Sequence, residues 1–344
     1  MVDIKNRSGI IAAGNWIIDD VKLIDKFPEE QSLSNILSEF TSNGGSAFNV
    51  LVALNKLKAP FELEGIGLVG NDLNGQLIID QCKKCNINTT QIHLTDEAPT
   101  SYTIVTTAKK SGKRTFFHHR GANSYLDLAH FNLMVSNAKI LHLGYLLLLD
   151  KLDELLGNGQ TKAALILKEA KDLGLITTVD LVSECSGRFK DIVPASLPYV
   201  DVLFLNELEA TNLSGIDILN SDSIANMDSL GELLFGNIFE MGVQQWIILH
   251  RPEGVWAAHK TGKRLFQPSL KLSSDSIVGA NGAGDALAAG ILFGLHENWS
   301  MEKCLLLGVS AAATSLSSVT CSDGIKTSEE CLEFSNQSTF QEFH

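Results

Sequence analysis

Strand-like and helix-like segments alternate along most of the 344-residue chain, and this alternation restricts the fold more than any other feature. An apolar strand ending near Gly14 precedes helical spacing at 46–57, and the order recurs at 139–144, 161–174 and 175–181. Strands that are apolar along their whole length are typical of parallel sheets with helices on both faces. The pattern predicts an α/β fold, a three-layer αβα core with a mostly parallel sheet.

Two stretches, residues 16–43 and about 91–121, interrupt the alternation with the period-2 pattern of half-buried strands. In the second stretch, KSGK supplies a turn between strands predicted at 102–108 and 114–119. Strands from two insertions can pair into one small β-sheet, which we expect to cover a cleft as a lid. The edges of that sheet also predict a homodimer formed through the lid.

Charge and hydropathy exclude several classes of partner. With 27 Lys and Arg against 40 Asp and Glu, the net charge is −13, so we expect no nucleic-acid partner. No apolar run approaches the roughly 18 residues that a membrane helix needs, so we expect no membrane partner. The six cysteines are scattered, which favours free thiols and predicts a cytoplasmic protein.

Three glycine-rich clusters are the candidate ligand sites. For two of them, the residues alone do not distinguish a ligand site from a purely structural turn or helix start. Residues 65–70 match the GxGxxG dinucleotide fingerprint, but a turn follows them and Thr90 stands where the fingerprint needs an acid. The stretch is therefore interpreted as a strand that leads into a tight turn, and a nicotinamide or flavin site is the alternative. Gly44 and Gly45 precede a helix and allow close approach of a ligand, and Asn49 can bond a hydroxyl. A helix start without a ligand is the alternative there.

The third cluster, residues 279–285, runs directly into an apolar helix. Gly282, Ala283 and Gly284 leave backbone N–H groups unobstructed at the helix N-terminus, where the helix dipole favours an anion such as phosphate. Asp285 would repel an anion in a simple binding loop. Its place is explained if it takes a proton from a hydroxyl that attacks a phosphoryl group, the alternative being an N-cap role.

Four motifs together resemble the ribokinase-like (PfkB-type) carbohydrate and nucleoside kinases. In the order of that family they are GGSAFN at 44–49, GLVGNDLNG at 67–75, NELE at 206–209 and GANGAGDALAAG at 279–290. The resemblance implies a ribokinase-like kinase core over residues 1–330, containing the lid insertions, and a C-terminal tail at 331–344. It implies transfer of the γ-phosphoryl group of ATP to a hydroxyl of a sugar or sugar-like small molecule. A nucleoside (adenosine-type) kinase and a non-catalytic sugar- or nucleotide-binding protein are the alternatives.

The resemblance also implies catalytic and substrate-binding roles, position by position. The implied catalytic group is the base Asp285 with the charge-stabilising amides of Gly282, Ala283 and Gly284. The implied substrate-binding group is Asp19, Gly44, Gly45 and Asn49. Arg120, near the end of the lid, is a further candidate for contact with an acidic or phosphorylated substrate, the alternative being pairing with surface acids.

ATP and Mg²⁺ are the implied cofactors. Asn206 and Glu209 would organise Mg²⁺, through water, since this ion keeps several waters and uses few carboxylates; a plain helix start is the alternative. Arg251 and Gly254 lie in the turn where the family contacts the nucleotide, and Arg251 can meet phosphate oxygens. Asn281 is similar to the adenosine-kinase branch and is also expected at the nucleotide.

Overall fold

A computed structural model describes residues 7–184, 187–219, 224–273, 276–279, 282–318, 320 and 322–342, without the side chains of 224–229. The strands are β1 (Ile10–Gly14), β2 (Ile17–Ile24), β3 (Ile36–Gly44), β4 (Leu63–Gly70), β5 (Asn88–Thr95), β6 (Tyr102–Ala108), β7 (Arg114–His119), β8 (Ile140–Gly144), β9 (Ile176–Asp180), β10 (Val202–Asn206), β11 (Trp246–Arg251), β12 (Gly254–His259) and β13 (Arg264–Pro268). The helices are α1 (Ser46–Lys56), α2 (Leu73–Lys84), α3 (Lys162–Asp172), α4 (Phe189–Ser196), α5 (Glu207–Ser214), α6 (Ile224–Glu240), α7 (Ala283–His296), α8 (Met301–Ser315) and α9 (Ser328–Gln337).

The central sheet has the strand order β13-β12-β11-β10-β9-β8-β1-β4-β5. Neighbouring strands from β11 to β5 run parallel, and β12 and β13 are added antiparallel at one edge. Side chains alternate across the sheet: Ile10 and Ala12 join one hydrophobic core, and Ile11 and Ala13 join the other. Helices α1, α2, α7, α8 and α9 cover the first face and α3 to α6 the second, which confirms the predicted three-layer α/β fold.

The lid is a separate four-stranded sheet in the order β3-β2-β6-β7. Its strands β6 and β7 have the bounds that the sequence predicts for the hairpin around KSGK. Strand β2 comes from the first insertion and pairs in parallel with β6 from the second. Residues 88–95 form β5 of the central sheet, so the lid part of the stretch predicted at about 91–121 starts only at β6.

The C-terminal residues that the structure describes, up to residue 342, pack onto the core. The boundary predicted at residue 330 falls inside α9, and Cys331 on that helix is fully buried. Further on, the Gln341 amide donates to the Ser269 carbonyl at 2.8 Å. The described part of the predicted tail, residues 331–342, therefore packs against this end of the molecule. Among the described residues, no helix has the length and apolar character that crossing a membrane requires.

Candidate active site

A cavity of about 570 Å³, which we call the lid cavity, lies between the lid and the carboxyl edge of the central sheet. Ligands of α/β sheets bind at this edge because parallel strands end there together and helices begin there. The lid cavity is lined from three directions, by the lid, by the ends of the core strands and by the start of α7. Its polar lining includes Asn15, Asp19, Asn49, Thr103, Arg114, His118, Tyr145, Asp180, Glu209 and Asp285.

Asp285 is a buried carboxylate in the first turn of α7. It accepts hydrogen bonds from Asn49 Nδ2 at 2.8 Å and from the Tyr145 hydroxyl at 3.0 and 3.1 Å. Burial raises the pKa of Asp285 to about 6, while the hydrogen bonds from Asn49, Tyr145 and Ser46 act in the opposite direction. Such a group is mainly ionised at neutral pH and is basic enough to take a proton from a bound hydroxyl.

The adjacent glycines bring the lid acid Asp19 close to this carboxylate. A Cβ on Gly44 would lie 2.3 Å from Asp19 Oδ2, and a Cβ on Gly45 would lie 2.4 Å from the Asn15 carbonyl oxygen. Gly45 also has φ of 92°, which favours glycine. Burial, followed by the charge of Asp285, raises the pKa of Asp19 to about 7. Asp19, Gly45 and Asn49 line the lid cavity, and Gly44 lies behind Asp19.

Three buried polar atoms of the cavity lining have no hydrogen-bond partner in the described part of the chain. They are Asn15 Nδ2, Asn49 Oδ1 and His118 Nε2. Buried polar atoms in native proteins are nearly always paired, so unpaired ones that line a cavity mark places for ligand polar groups. This arrangement offers both donors and acceptors, which suits a ligand rich in hydroxyl groups.

The lid residues that line the cavity differ from the one that the sequence suggested. Arg120 Nη1 contacts Asp150 Oδ1 at 2.6 Å and the Leu147 carbonyl at 3.2 Å, so the alternative of pairing with a surface acid applies. The lining instead includes His118, which lies opposite Thr103 in the lid register and bonds its hydroxyl at 2.9 Å. Thr103 is in turn opposite Asp19, so the three side chains share one face of the lid.

Asn206 and Glu209 form a capping box at the start of α5, in agreement with the helix-start alternative. Both carboxylate oxygens of Glu209 accept hydrogen bonds, from the Asn206 backbone and side chain and from Ser183. Glu209 nevertheless lines the lid cavity. Asn206 lines the lid cavity and also a second cavity that adjoins it, which is described below. Burial raises the pKa of Glu209 to about 7, against the effect of its hydrogen bonds.

Asp180 is a functional candidate that no sequence motif indicated. It ends β9, and its Oδ1 accepts from the Leu181 amide at 3.0 Å. Burial raises its pKa well above the usual value, and the charges of Asp285 and Glu209 raise it further. The sequence signal was an acid directly after the apolar strand LITTV, at the edge where ligands bind.

The acids Asp180, Glu209 and Asp285 fit a site for Mg²⁺ bound together with phosphate. Their mutual repulsion would be relieved by a divalent cation, and carboxylate and water oxygens are its preferred ligands. Within the described ranges, no three His, Cys, Asp or Glu side chains converge to hold a metal alone. Glu209, with both oxygens engaged, would act through water, and phosphate oxygens would complete the coordination.

A second cavity, of about 730 Å³, adjoins the lid cavity at the start of α7. Asn206, His250, Ala283 and Gly284 line both cavities. The remaining lining is largely apolar and includes Leu208, Leu270, Leu272, Ile277, Val309 and Leu316. We call it the apolar cavity, and its lining suits a flat, weakly polar group such as a nucleobase.

The three residues predicted to contact the nucleotide, Arg251, Gly254 and Asn281, differ in how they relate to the apolar cavity. Arg251 lines it and pairs with Glu253, with 3.4 Å between Nε and Oε2. Gly254 belongs to β12, where a Cβ would lie 2.6 Å from the Phe266 ring, so packing against that ring explains this glycine. Asn281 lies outside the described residues.

The two glycines at the start of α7, Gly282 and Gly284, are each required for a different structural reason. Gly282 is the N-cap residue, with φ of 74° and ψ of 6°, a left-handed conformation that favours glycine. A Cβ on Gly284 would lie 3.3 Å from the His250 ring. Ala283 lies between them and lines both cavities. The N-terminus of α7 is therefore open to an anion that reaches it from either cavity.

Comparison with known proteins gives a family match across most of the chain. The profile described as "pfkB family carbohydrate kinase" matches residues 11–328. A nucleoside kinase of Methanocaldococcus jannaschii is 23% identical over 94% of this chain and 95% of its own length. A ribokinase of Haemophilus influenzae is 24% identical over 85% of this chain and 86% of its own. The structure of Arabidopsis thaliana ribokinase complexed with ribose and ATP is similar in fold, with a TM-score of 0.76, 19% identity and coverage of 96% and 99% of the two chains.

Proposed function

The chain belongs to the pfkB family of carbohydrate kinases, and from that premise we propose that it transfers the γ-phosphoryl group of ATP to a hydroxyl of a sugar or sugar-like substrate. The observation that carries this proposal is the position of Asp285, a buried carboxylate in the first turn of α7, where the two cavities meet. A hydroxyl bound in the lid cavity lies beside a base, and phosphates extending from the apolar cavity reach a helix N-terminus.

The lid cavity supports a hydroxyl-rich acceptor. The atoms of Asn15, Asn49 and His118 that have no partner among the described residues offer donors and acceptors to sugar hydroxyls. Asp19 offers a carboxylate that can accept from two neighbouring hydroxyls. A hydroxyl held between Asp19 and Asp285 would be oriented for attack, and that orientation is itself a large part of catalysis.

The proposed reaction uses each group for one task. Asp285 accepts the proton of the attacking hydroxyl, and the amides at 282–284 stabilise the negative charge of the transferred group. Mg²⁺ supplies charge neutralisation on the phosphate oxygens. Asp180 directly and Glu209 through water would hold the ion, and Asn206 holds Glu209 in place. Closed over the bound acceptor, the lid excludes water that would otherwise attack the phosphoryl group.

A panel of acceptors tests the proposal. The protein would be incubated with ATP and Mg²⁺ and with pentoses, hexoses, sugar acids or nucleosides, while ADP formation and the phosphorylated product are followed. We expect ADP formation to depend on one class of acceptor. Binding measured by calorimetry without product from any acceptor would instead favour a non-catalytic sugar- or nucleotide-binding protein.

A nucleoside kinase is the second candidate, because the lid face that lines the cavity carries apolar side chains next to its polar ones. One register step beyond Thr103 and His118, the same face carries Val105 and Phe116. Phe116 is 57% exposed and lines the cavity. An aromatic ring beside a polar row suits a base attached to a ribose, since a base can stack on the ring. Nucleosides outperforming free sugars in the acceptor panel would favour this candidate.

The rate should fall on the acid side of neutrality. Because burial raises the pKa of Asp285 to about 6 and that of Asp19 to about 7, both carboxylates become protonated as the pH falls through this range. Protonated Asp285 is no longer a base, so kcat should decrease as pH falls through about 6. The measurement is kcat from pH 5 to 9 at saturating substrates. A rate that stays constant down to pH 5 would contradict the role of Asp285.

A homodimer formed through the lid remains part of the proposal. The lid strands β3 and β7 are both sheet edges, and exposed apolar side chains accompany them at Ile36, Leu37 and Phe117. Edge strands with exposed apolar side chains tend to pair with other strands. Light scattering should therefore give about twice the 37.3 kDa of one chain. A single species at the mass of one chain over the whole concentration range would contradict the dimer.

A reducing compartment such as the cytoplasm is the proposed location. Cys82, Cys85, Cys304 and Cys331 are free and buried. Burial raises the pKa of the Cys82 thiol above its usual value, which keeps it protonated and unreactive. Thiols of this kind favour a structural role in a protein that does not form disulfides.

A further inference from the structure

We propose that Gln341 selects the nucleobase of the phosphoryl donor in the apolar cavity. This inference rests on the proposed function, in which ATP is that donor, and it names a specificity-determining residue that none of the four sequence motifs contains. The match to the family profile ends at residue 328, so Gln341 belongs to a part of the chain outside that match. Its role is inferred from its contacts in this structure.

A short C-terminal segment, residues 339–341, is fixed against the wall of the apolar cavity. Leu270 and Phe340 form an antiparallel bridge, and one backbone hydrogen bond of 2.8 Å lies on each side of it. The second of these bonds joins the Gln341 amide to the Ser269 carbonyl. Leu270 is 3% exposed and lines the cavity. The backbone of the segment therefore sets the position of Gln341 relative to the cavity wall.

The side-chain amide of Gln341 has a defined orientation at this wall. Gln341 lines the apolar cavity, and its Nε2 donates to the carbonyl of Pro252, another lining residue, at 3.3 Å. A carbonyl can only accept, so the nitrogen of the amide faces Pro252 and the oxygen faces away from it. No donor to Gln341 Oε1 is found among the described residues. This oxygen is therefore an oriented acceptor that a ligand can use.

Polar side chains form two groups around the apolar cavity. The first group lies at the junction with the lid cavity, because its members line both cavities or directly follow a residue that does; they are Ser183, Asn206, Glu207, His250 and Arg251. The second group, Ser269 and Gln341, lines the apolar cavity alone. Since the phosphates reach α7 at the junction, the base would face the second group. A serine hydroxyl both donates and accepts, so the selective group is the Gln341 oxygen.

Purine bases differ at the position that such an acceptor recognises. Adenine carries an exocyclic amino group at C6, which is a donor, whereas guanine and hypoxanthine carry a carbonyl oxygen there. An amino group can donate to Gln341 Oε1, but a carbonyl oxygen would face it with no proton between the two. Rotation of the amide to present Nε2 would break its bond to Pro252. We therefore expect a preference for adenine of about tenfold, the upper end of the effect of one neutral hydrogen bond.

The test measures the binding of ATP and of inosine triphosphate by calorimetry, with Mg²⁺ and without an acceptor. The unmodified protein should bind ATP about tenfold more tightly than inosine triphosphate. Gln341→Leu removes the acceptor oxygen, so ATP should bind about tenfold more weakly and inosine triphosphate within about twofold of its original affinity. Gln341→Glu keeps an acceptor oxygen and should still prefer ATP. A preference for ATP that survives in Gln341→Leu would overturn the proposal.

Gln267→Leu is the matched control, because Gln267 is also a half-buried glutamine whose Nε2 donates to a proline carbonyl, that of Pro268 at 3.1 Å. Gln267 lines neither of the two cavities. This variant should keep both affinities. Tripolyphosphate, which lacks a base, should bind the unmodified protein and Gln341→Leu equally. Loss of the ATP preference in Gln267→Leu, or weaker tripolyphosphate binding in Gln341→Leu, would mean a general disturbance of the cavity and would overturn the proposal.

Binding without an acceptor separates this inference from the proposed function. Equal affinities of the unmodified protein for ATP and inosine triphosphate would overturn the role of Gln341 and leave phosphoryl transfer in place, since the phosphates and Mg²⁺ would still bind. A preference for ATP that is lost only in Gln341→Leu, together with no product from any acceptor in the panel, would support the role of Gln341 and count against the proposed function.

Discussion

Replacing Asp285 by asparagine is expected to lower kcat by about 10² to 10⁴, the usual cost of losing a general base. Asparagine keeps the size of the side chain, and its oxygen can still accept from Asn49 and the Tyr145 hydroxyl. It cannot take a proton from the attacking hydroxyl. The KM for ATP should change little, because the apolar cavity is unaltered. The measurement is ADP formation at saturating concentrations of the best acceptor and ATP.

Asp201→Asn is a suitable control for the effect of neutralising a buried acid. Asp201 is 4% exposed, as is Asp285, but it precedes β10 at the opposite edge of the sheet and bonds Thr177 and Lys171. Its replacement should reduce stability and leave kcat within about twofold of the unmodified value. Equal losses of kcat in the two variants would mean that burial, rather than proton transfer, explains the effect. Full turnover in Asp285→Asn would remove it as the base.

The core strands and the lid hairpin could be predicted because their signals are local. Apolar runs mark strands that are buried on both faces, and KSGK fixes the turn between β6 and β7, so the predicted bounds 102–108 and 114–119 are those observed. The lining of the lid cavity could not be predicted in this way. It depends on the pairing of β2 with β6, two strands about 80 residues apart in the sequence. The register of that pairing cannot be deduced from the spacing of residues along the chain.

That register explains why the sequence favoured Arg120 over His118. Arg120 was favoured because its side chain is always charged and can bind oxyanions through two N–H groups. It lies beyond the end of β7, however, and its side chain bonds Asp150. His118 is in line with Asp19 only through two successive cross-strand pairs. Asp180 was missed for a similar reason, since an acid after an apolar strand acquires meaning only when the neighbouring strand ends bring Asp285 and Glu209 beside it.

The literal GxGxxG at 65–70 shows how tertiary packing can produce a ligand-like motif. A Cβ on Gly65 or Gly67 would lie 2.7 or 2.1 Å from the indole ring of Trp16. The indole Nε1 donates to the Ile66 carbonyl at 2.9 Å, so the ring lies flat along β4. These glycines are required by a tryptophan about 50 residues away. Composition and spacing alone could not distinguish that requirement from a need to approach a cofactor.

Gly282→Ala is expected to lower kcat by about 10² to 10³, the range found when a donor to a developing oxyanion is lost. Gly282 is the N-cap of α7 with φ of 74°, and alanine in that conformation costs about 1 to 2 kcal/mol. The first turn would relieve this strain by changing its backbone conformation. The amides of Ala283 and Gly284 would then turn away from the transferred phosphoryl group. We expect the loss in kcat at saturating ATP, since nucleobase contacts in the apolar cavity remain.

Gly159→Ala separates backbone strain from the loss of the anion site. Gly159 has φ of 79°, nearly that of Gly282, and a Cβ there meets no atom within 4 Å. Both variants should lose similar stability in thermal unfolding, because both place alanine in the left-handed region. Only Gly282→Ala should lose turnover, because Gly159 lines neither cavity. If Gly282→Ala keeps its turnover while losing the same stability, the amides at 282–284 do not stabilise the transferred group, and the phosphoryl charge must be met by Mg²⁺ and cationic side chains such as Arg251.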